Sequence, residues 1–261
     1  MTVIDPVLAG GVVAIVIFFG VLLALRVGRV LGERAIARFG SIGSTIGSLE
    51  AAVFALLGLL IAFTFSGALT RFDMRRAQVV QEANAIGTAW LRIDLLPASA
   101  QPKVRETFKA YADSRIATYR KLPDVKAARS ELARSEELQQ QIWAQAVAAV
   151  RMPKTRPETE LLLMPALNDM FDITTTRIAA TQMHPPSVIY VMLIALAMVA
   201  ALLAGYQSAG EKGYAWIHKI AFATIVSLTV YVILDIEYPR LGLVRLDAID
   251  QLLIDVRAGM K

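Results

Sequence analysis

The chain contains no cysteine and only two histidines, His184 and His218. The first absence rules out disulfides, thiolate metal sites and a thiol nucleophile. The second leaves little to hold a metal. The two histidines lie on opposite sides of one apolar run, and a metal site needs converging ligands. They read as interfacial or structural side chains. There is no P-loop, no dinucleotide fingerprint and no Ser-His-Asp arrangement. An acidic, glycine-containing loop of the calcium-binding type is also missing. The expectation is therefore no catalytic residue, no cofactor and no metal. No useful stretch alternates apolar and polar residues, so strands are not expected. No repeat of fixed period appears. Basic residues form no stripe with interleaved aromatics, and the net charge of +5 is spread out. Nucleic acid is not an expected partner.

What the chain does have is apolar length. Val7 to Leu25, Ala51 to Thr70 and Pro185 to Gly210 carry no charged residue, and Ile220 to Leu234 is a fourth, shorter run. A helix crosses a hydrocarbon core with about 20 residues. The fourth run reaches that length if Trp216 and His218 sit at the interface. The first run has Asp5 rather than a basic segment ahead of it, and it is too long for the core of a cleavable signal peptide. The chain reads as a multi-pass membrane protein with lipid as one partner. Arg71 to His184, between the pairs, is charged enough for a water-soluble helical domain. The expected division is 1–70 for the first span pair, 71–184 for the helical domain, 185–236 for the second pair, and 237–261 for a C-terminal tail. The fold class is all-α.

Charge does not orient this arrangement. One face holds Arg26, Arg29, Arg34, Arg38, Lys212 and Lys219. The other holds Arg71, Arg75, Arg76, Arg177, Arg240, Arg245, Arg257 and Lys261. Positive charges flank the spans on both sides, so the positive-inside rule is undecided.

Along the chain, Ala51 to Leu96 reads as one long helix, free of proline until Pro97. Ala51, Ala55, Gly58, Ala62 and Ser66 recur at spacings of three and four, a stripe that lets membrane helices approach closely. Beyond the span, Phe72, Val79, Ala83, Ile86, Trp90 and Ile93 form an apolar face. Pro102 can open a helix that Pro123 ends. Asp124 can cap the next, and Pro157 can open another. Pro165 is expected to kink or interrupt that last helix. Gly43 and Gly47 are spaced as a close-packing pair, but they precede the apolar run and read as loop.

Charges crowd the span ends. Arg71, Asp73, Arg75 and Arg76 follow the second run, and Asp235 and Glu237 follow the fourth. The plain reading is that they anchor helix ends and pair with one another. The sharper reading is that Arg71, Arg75, Asp235 and Glu237 line the mouth of a pore and shape its field.

The stretch from Ile61 to Arg76, Ile-Ala-Phe-Thr-Phe-Ser-Gly-Ala-Leu-Thr-Arg-Phe-Asp-Met-Arg-Arg, resembles the pore helix of bestrophins. Gln81-Glu82-Ala83-Asn84-Ala85-Ile86, Leu95-Leu96-Pro97, Tyr111 with Arg115, and Asp235 to Gly242 resemble a bacterial bestrophin-like family of unknown function. The likeness runs over nearly the whole chain. It implies a cytosolic central domain, cytosolic termini, and a pentamer whose second spans surround an axial pore. It places Phe63 on the aromatic constriction of the neck, with Leu59 and Ala55 one and two turns earlier. The departures are Ala55, where a bulky aliphatic residue is expected, Thr64, where an arginine is common, and Thr70-Arg71-Phe72 in place of Asp-Arg-Trp.

The expected function is a homo-oligomeric, pentameric ion channel in a bacterial inner membrane, passing inorganic ions through an apolar neck that gates by dewetting. The alternative is a non-conducting membrane-anchored scaffold or sensor whose cytosolic helices bind a partner.

Overall fold

A computed structural model describes residues 6–41, 45–153, 155–210, 216–240 and 243–261. Asp5, Gly43, Lys212 and Gly242 lie outside the described residues. The helices are α1 (Pro6–Phe39), α2 (Thr45–Arg92), α3 (Gln101–Arg120), α4 (Val125–Val150), α5 (Pro157–Gln182), α6 (Ser187–Gln207), α7 (Trp216–Glu237) and α8 (Asp247–Ala258). A 3₁₀ turn, Ile93–Leu95, follows α2. Among the described residues there is no strand. Four helices, α1, α2, α6 and α7, are long and apolar enough to cross a membrane. The protein is an all-α membrane protein with a helical domain inserted between its second and third spans.

The chain forms two compact units. The first comprises Met1–Phe72 and His184–Val244. Its tightest seam is between α1 and α6, and small residues make it. Gly28 on α1 faces Leu202 and Tyr206 of α6, Gly32 faces Tyr206 and Ala209 just beyond it, and Gly205 on α6 faces Leu25; all three glycines are buried. A Cβ added at Gly28 would come within 2.0 Å of the Leu202 carbonyl oxygen, and one at Gly205 within 2.1 Å of that of Leu25. Small residues stand every fourth position along both: Ala24, Gly28 and Gly32 on α1, and Ala197, Ala201 and Gly205 on α6 followed by Ala209 in the turn after it. Close backbone approach is the main route to van der Waals gain where lipid removes the hydrophobic incentive. Helix α7 packs on α1, where Ser227 donates to the Ala14 carbonyl, and its Val226, Val230 and Ile233 join this unit's core. Helix α2 packs through a mixture of large and small side chains. Leu57 and Ala68 are buried, and Phe54 meets Phe222 edge-on at 5.6 Å.

The second unit comprises Asp73–Met183 and Arg245–Lys261. Val79, Ala83, Ile86, Trp90 and Ile93 of α2 are buried, with Phe108, Tyr111, Ile142, Leu163, Leu167 and Met170 among their partners. Asp124 caps α4, its Oδ1 accepting from the Ala127 N–H at 3.0 Å. Pro165 does not interrupt α5, which runs through it. Proline removes a helical donor and crowds the preceding turn. The carbonyl that loses its helical donor is that of Leu161; the next one, of Leu162, accepts from Arg92. The C-terminal residues are not a separate tail. Leu246, Leu253 and Met260, spaced by seven, are all buried, and Leu253 and Met260 join this unit's core. Burying each such side chain contributes about 1.5–3 kcal/mol.

Candidate functional site

Helix α2 has two unlike sides within the first unit. Leu57, Thr64 and Ala68 are buried. Ala51, Ala55, Gly58, Leu59, Ala62 and Ser66 are all exposed. At 3.6 residues per turn these sets lie on opposite sides of the helix. The small stripe is therefore no seam within the subunit. Phe63 stands at the edge of the same outward side, 68% exposed, one turn beyond Leu59 at 52%. The outward sides of the other spans differ. Helix α1 exposes Val12, Ile15, Val16, Phe19 and Leu23, and α6 exposes Val188, Val191, Met192 and Val199. Those are bulky, lipid-compatible faces. Helix α2 also exposes Leu56, Phe65 and Leu69, but among the described residues of the spans it alone adds glycine, alanine and serine to such a side, next to Leu59 and Phe63.

Thr64 belongs to the inward side. Its Oγ1 donates to the Leu60 carbonyl at 2.6 Å. The residue standing where an arginine is common in bestrophins thus faces away from Leu59.

The charges named at the span ends are brought into internal bonds. Glu237, fully buried, accepts from Arg71 Nε and Nη2 at 2.9 and 2.7 Å. His184 Nδ1 lies 3.0 Å from the second Glu237 oxygen, and its ring stacks on Tyr238 at 4.5 Å. Asp235 accepts from the backbone N–H groups of Leu243 and Val244 at 2.9 and 2.8 Å, folding the chain back after α7. These residues belong to the first unit. Arg75 belongs to the second, where it donates to the Ala180 and Met183 carbonyls at 3.2 and 3.1 Å. It thereby satisfies carbonyls at the end of α5 that have no helical donor. Pairing of this kind stabilises span ends and leaves less free charge to act on an ion.

A further charged cluster sits inside the second unit. Glu82 lies between Arg115 and Arg177, and all three are buried. Arg115 Nε donates to Glu82 at 2.6 Å, and Arg177 donates to the other carboxylate oxygen. Burial pushes the Glu82 carboxyl up, but the two guanidiniums together outweigh it and hold the group below its ordinary value. Arg177 also stacks on the Tyr119 ring at 3.9 Å and approaches Asp250 at 3.7 Å. The resemblance drawn from the sequence includes Glu82 and Arg115 but gives no sign that Arg177, from a distant helix, joins them. The small ladders of α1 and α6 were the readable signal that a stripe on α2 obscured. Among the described residues, no three potential metal-ligating side chains converge.

A family model of the bestrophin-like domain matches residues 13–248. The chain belongs to the bestrophin-like family. Two crystal structures of variants of a bacterial bestrophin homologue from Klebsiella pneumoniae share its fold. One superposes with a TM-score of 0.70 at 15% identity, covering 94% of this chain and 98% of the other. The second gives 0.68 at 15% identity, covering 95% and 98%. No curated protein matches the chain.

Proposed function

We propose that the protein is a homopentameric ion channel whose second spans line an axial pore. The central domain and both termini lie on the cytosolic side of a bacterial inner membrane. The observation that carries this reading is the outward side of α2. It is left uncovered by the subunit, it carries a stripe of small residues among exposed larger ones such as Leu56 and Leu69, and it presents Leu59 and Phe63 one turn apart. In a ring of subunits the small residues admit close neighbours, while Leu59 and Phe63 form adjacent apolar constrictions. Ala55 lies a turn before Leu59 and leaves the pore wider there. Water leaves a narrow apolar ring readily, so ions stop there without a charged barrier. Arg71, Arg75, Asp235 and Glu237 act as positioning residues near the mouth: their internal bonds fix the span ends and the segments beside them.

Those internal bonds favour the other reading, a non-conducting scaffold, because few free charges remain to select an ion. Flux separates the two. Wild type and Phe63→Ala are reconstituted in liposomes at equal, verified oligomer content. The channel reading expects higher flux from Phe63→Ala. No flux from either protein, with assembly intact, supports the scaffold.

A further inference from the structure

The second unit contains a cavity of about 310 Å³ that the pore reading does not use. It lies between the end of α3, the turn after it, and α8. Ile116, Leu122, Leu253 and Ile254 give it apolar walls, and the Tyr119 ring adds an aromatic one. Arg120, Arg245 and Asp250 supply its polar groups. The size matches the lower end of pockets that hold small organic ligands.

Its charged groups connect to the buried cluster. Asp250 also faces Arg177, which stacks on the far partner of the cavity wall, Tyr119. Arg115 donates to the Tyr119 hydroxyl at 2.6 Å. Among the described residues, the cavity and the cluster behind it bring Arg115, Arg120 and Arg177 together with Glu82 and Asp250, while Arg245 in the lining has a partner of its own. The cluster is also short of acceptors: Arg115 is fully buried, and its Nη1 has no hydrogen-bond partner. Buried guanidiniums in a medium of low dielectric act over longer distances than exposed ones. Arg120 is exposed at the cavity, so its head can turn toward an incoming group.

We propose that this cavity binds a small amphipathic anion, with one carboxylate or phosphate head and a body about the size of a single ring. The head pairs with Arg120 in the positive field of the buried cluster. The body lies against Tyr119, Ile116, Leu253 and Ile254. This assignment stands whether or not α2 lines a pore.

The test is calorimetric titration of the full-length protein in lipid nanodiscs, with empty nanodiscs as the blank. The probes are phenyl phosphate, benzoate, benzamide and inorganic phosphate. Saturable binding of phenyl phosphate or benzoate is expected, and their ratio identifies the preferred head. Benzamide, which lacks the charge, should bind about ten-fold more weakly, as should either anion to Arg120→Gln. Inorganic phosphate should bind more weakly than phenyl phosphate, because it makes no use of the apolar walls. Ile254→Trp, which fills the space from a half-buried position, should abolish binding while the circular dichroism spectrum is kept. The proposal is overturned by an absence of saturable binding, or by benzamide or inorganic phosphate matching phenyl phosphate. Unchanged affinity in both variants overturns it as well.

Discussion

Arg71 and Glu237 form a two-point ion pair: the Arg71 Nε and Nη2 both donate to one Glu237 oxygen, and Nε also reaches the other at 3.0 Å. Glu237 is the last residue of α7 and has no exposed surface, so the pair ties the end of the fourth span to the second. Removing one partner of a buried pair costs more than replacing both, because a lone buried charge remains. Arg71→Met should therefore destabilise the protein by about 3 kcal/mol. The double variant Arg71→Met with Glu237→Leu should recover much of the loss. Thermal unfolding in detergent measures both, and a single variant as stable as wild type would remove the pair from the account.

Glu82 makes stability depend on acid. Its folded carboxyl titrates below the ordinary value of 4.5, because Arg115 and Arg177 outweigh the effect of burial. A depressed folded value means a contribution fully present above the unfolded pKa and lost as pH falls through the folded one. Wild type should lose unfolding free energy as pH drops below 4.5. Glu82→Gln should start lower at neutral pH by about 3–5 kcal/mol and show a flatter acid limb. Urea titrations at several pH values give the slopes; parallel limbs would refute the assignment.

The two kinds of small residue should respond differently to added bulk. Gly205→Ala drives a methyl against the Leu25 carbonyl, so α1 and α6 must separate. A loss of about 1–3 kcal/mol is expected, as for overpacking in general. Ala62 is exposed within the subunit. Ala62→Leu should leave subunit stability nearly unchanged and weaken assembly, read as a shift in detergent-complex mass. A wild-type mass of one subunit would sink the oligomer.

Topology can be read directly because the chain lacks cysteine. Ser130, exposed on α4, is the suitable probe position, since Ser135 is buried and bonded to Ser114 at 2.8 Å. A thiol introduced by Ser130→Cys should resist an impermeant reagent in intact cells and react after lysis. Reaction before lysis would place the central domain outside.

Much of the helix plan was legible because it rests on local chemistry. Asp124 caps α4, and Pro157 opens α5, from signals within one turn. The buried face Val79, Ala83, Ile86, Trp90 and Ile93 follows from helical period alone. Other relations were not local. The residues Arg71 and Glu237 are 166 positions apart, and although pairing among the span-end charges was the plain reading, spacing did not say which of them would meet. The stripe on α2 was visible, but its partner was not. Small residues permit close approach without naming the surface approached. The heptad of Leu246, Leu253 and Met260 was present in the tail, yet only packing showed that it completes the inserted domain.

The sequence by itself determined an all-helical membrane protein, because apolar length and period are properties of one segment in one solvent. It also determined that no thiol chemistry is possible. Tertiary structure decided which side of each helix is covered. It turned Leu59 and Phe63 outward and Thr64 inward, and it spent Asp235 and Glu237 on internal bonds. It set Arg177 beside Glu82 and Tyr119 and left a cavity behind them. Burial, pairing and enclosed space depend on distant segments meeting, and a helix's own residues do not specify which neighbour it will meet.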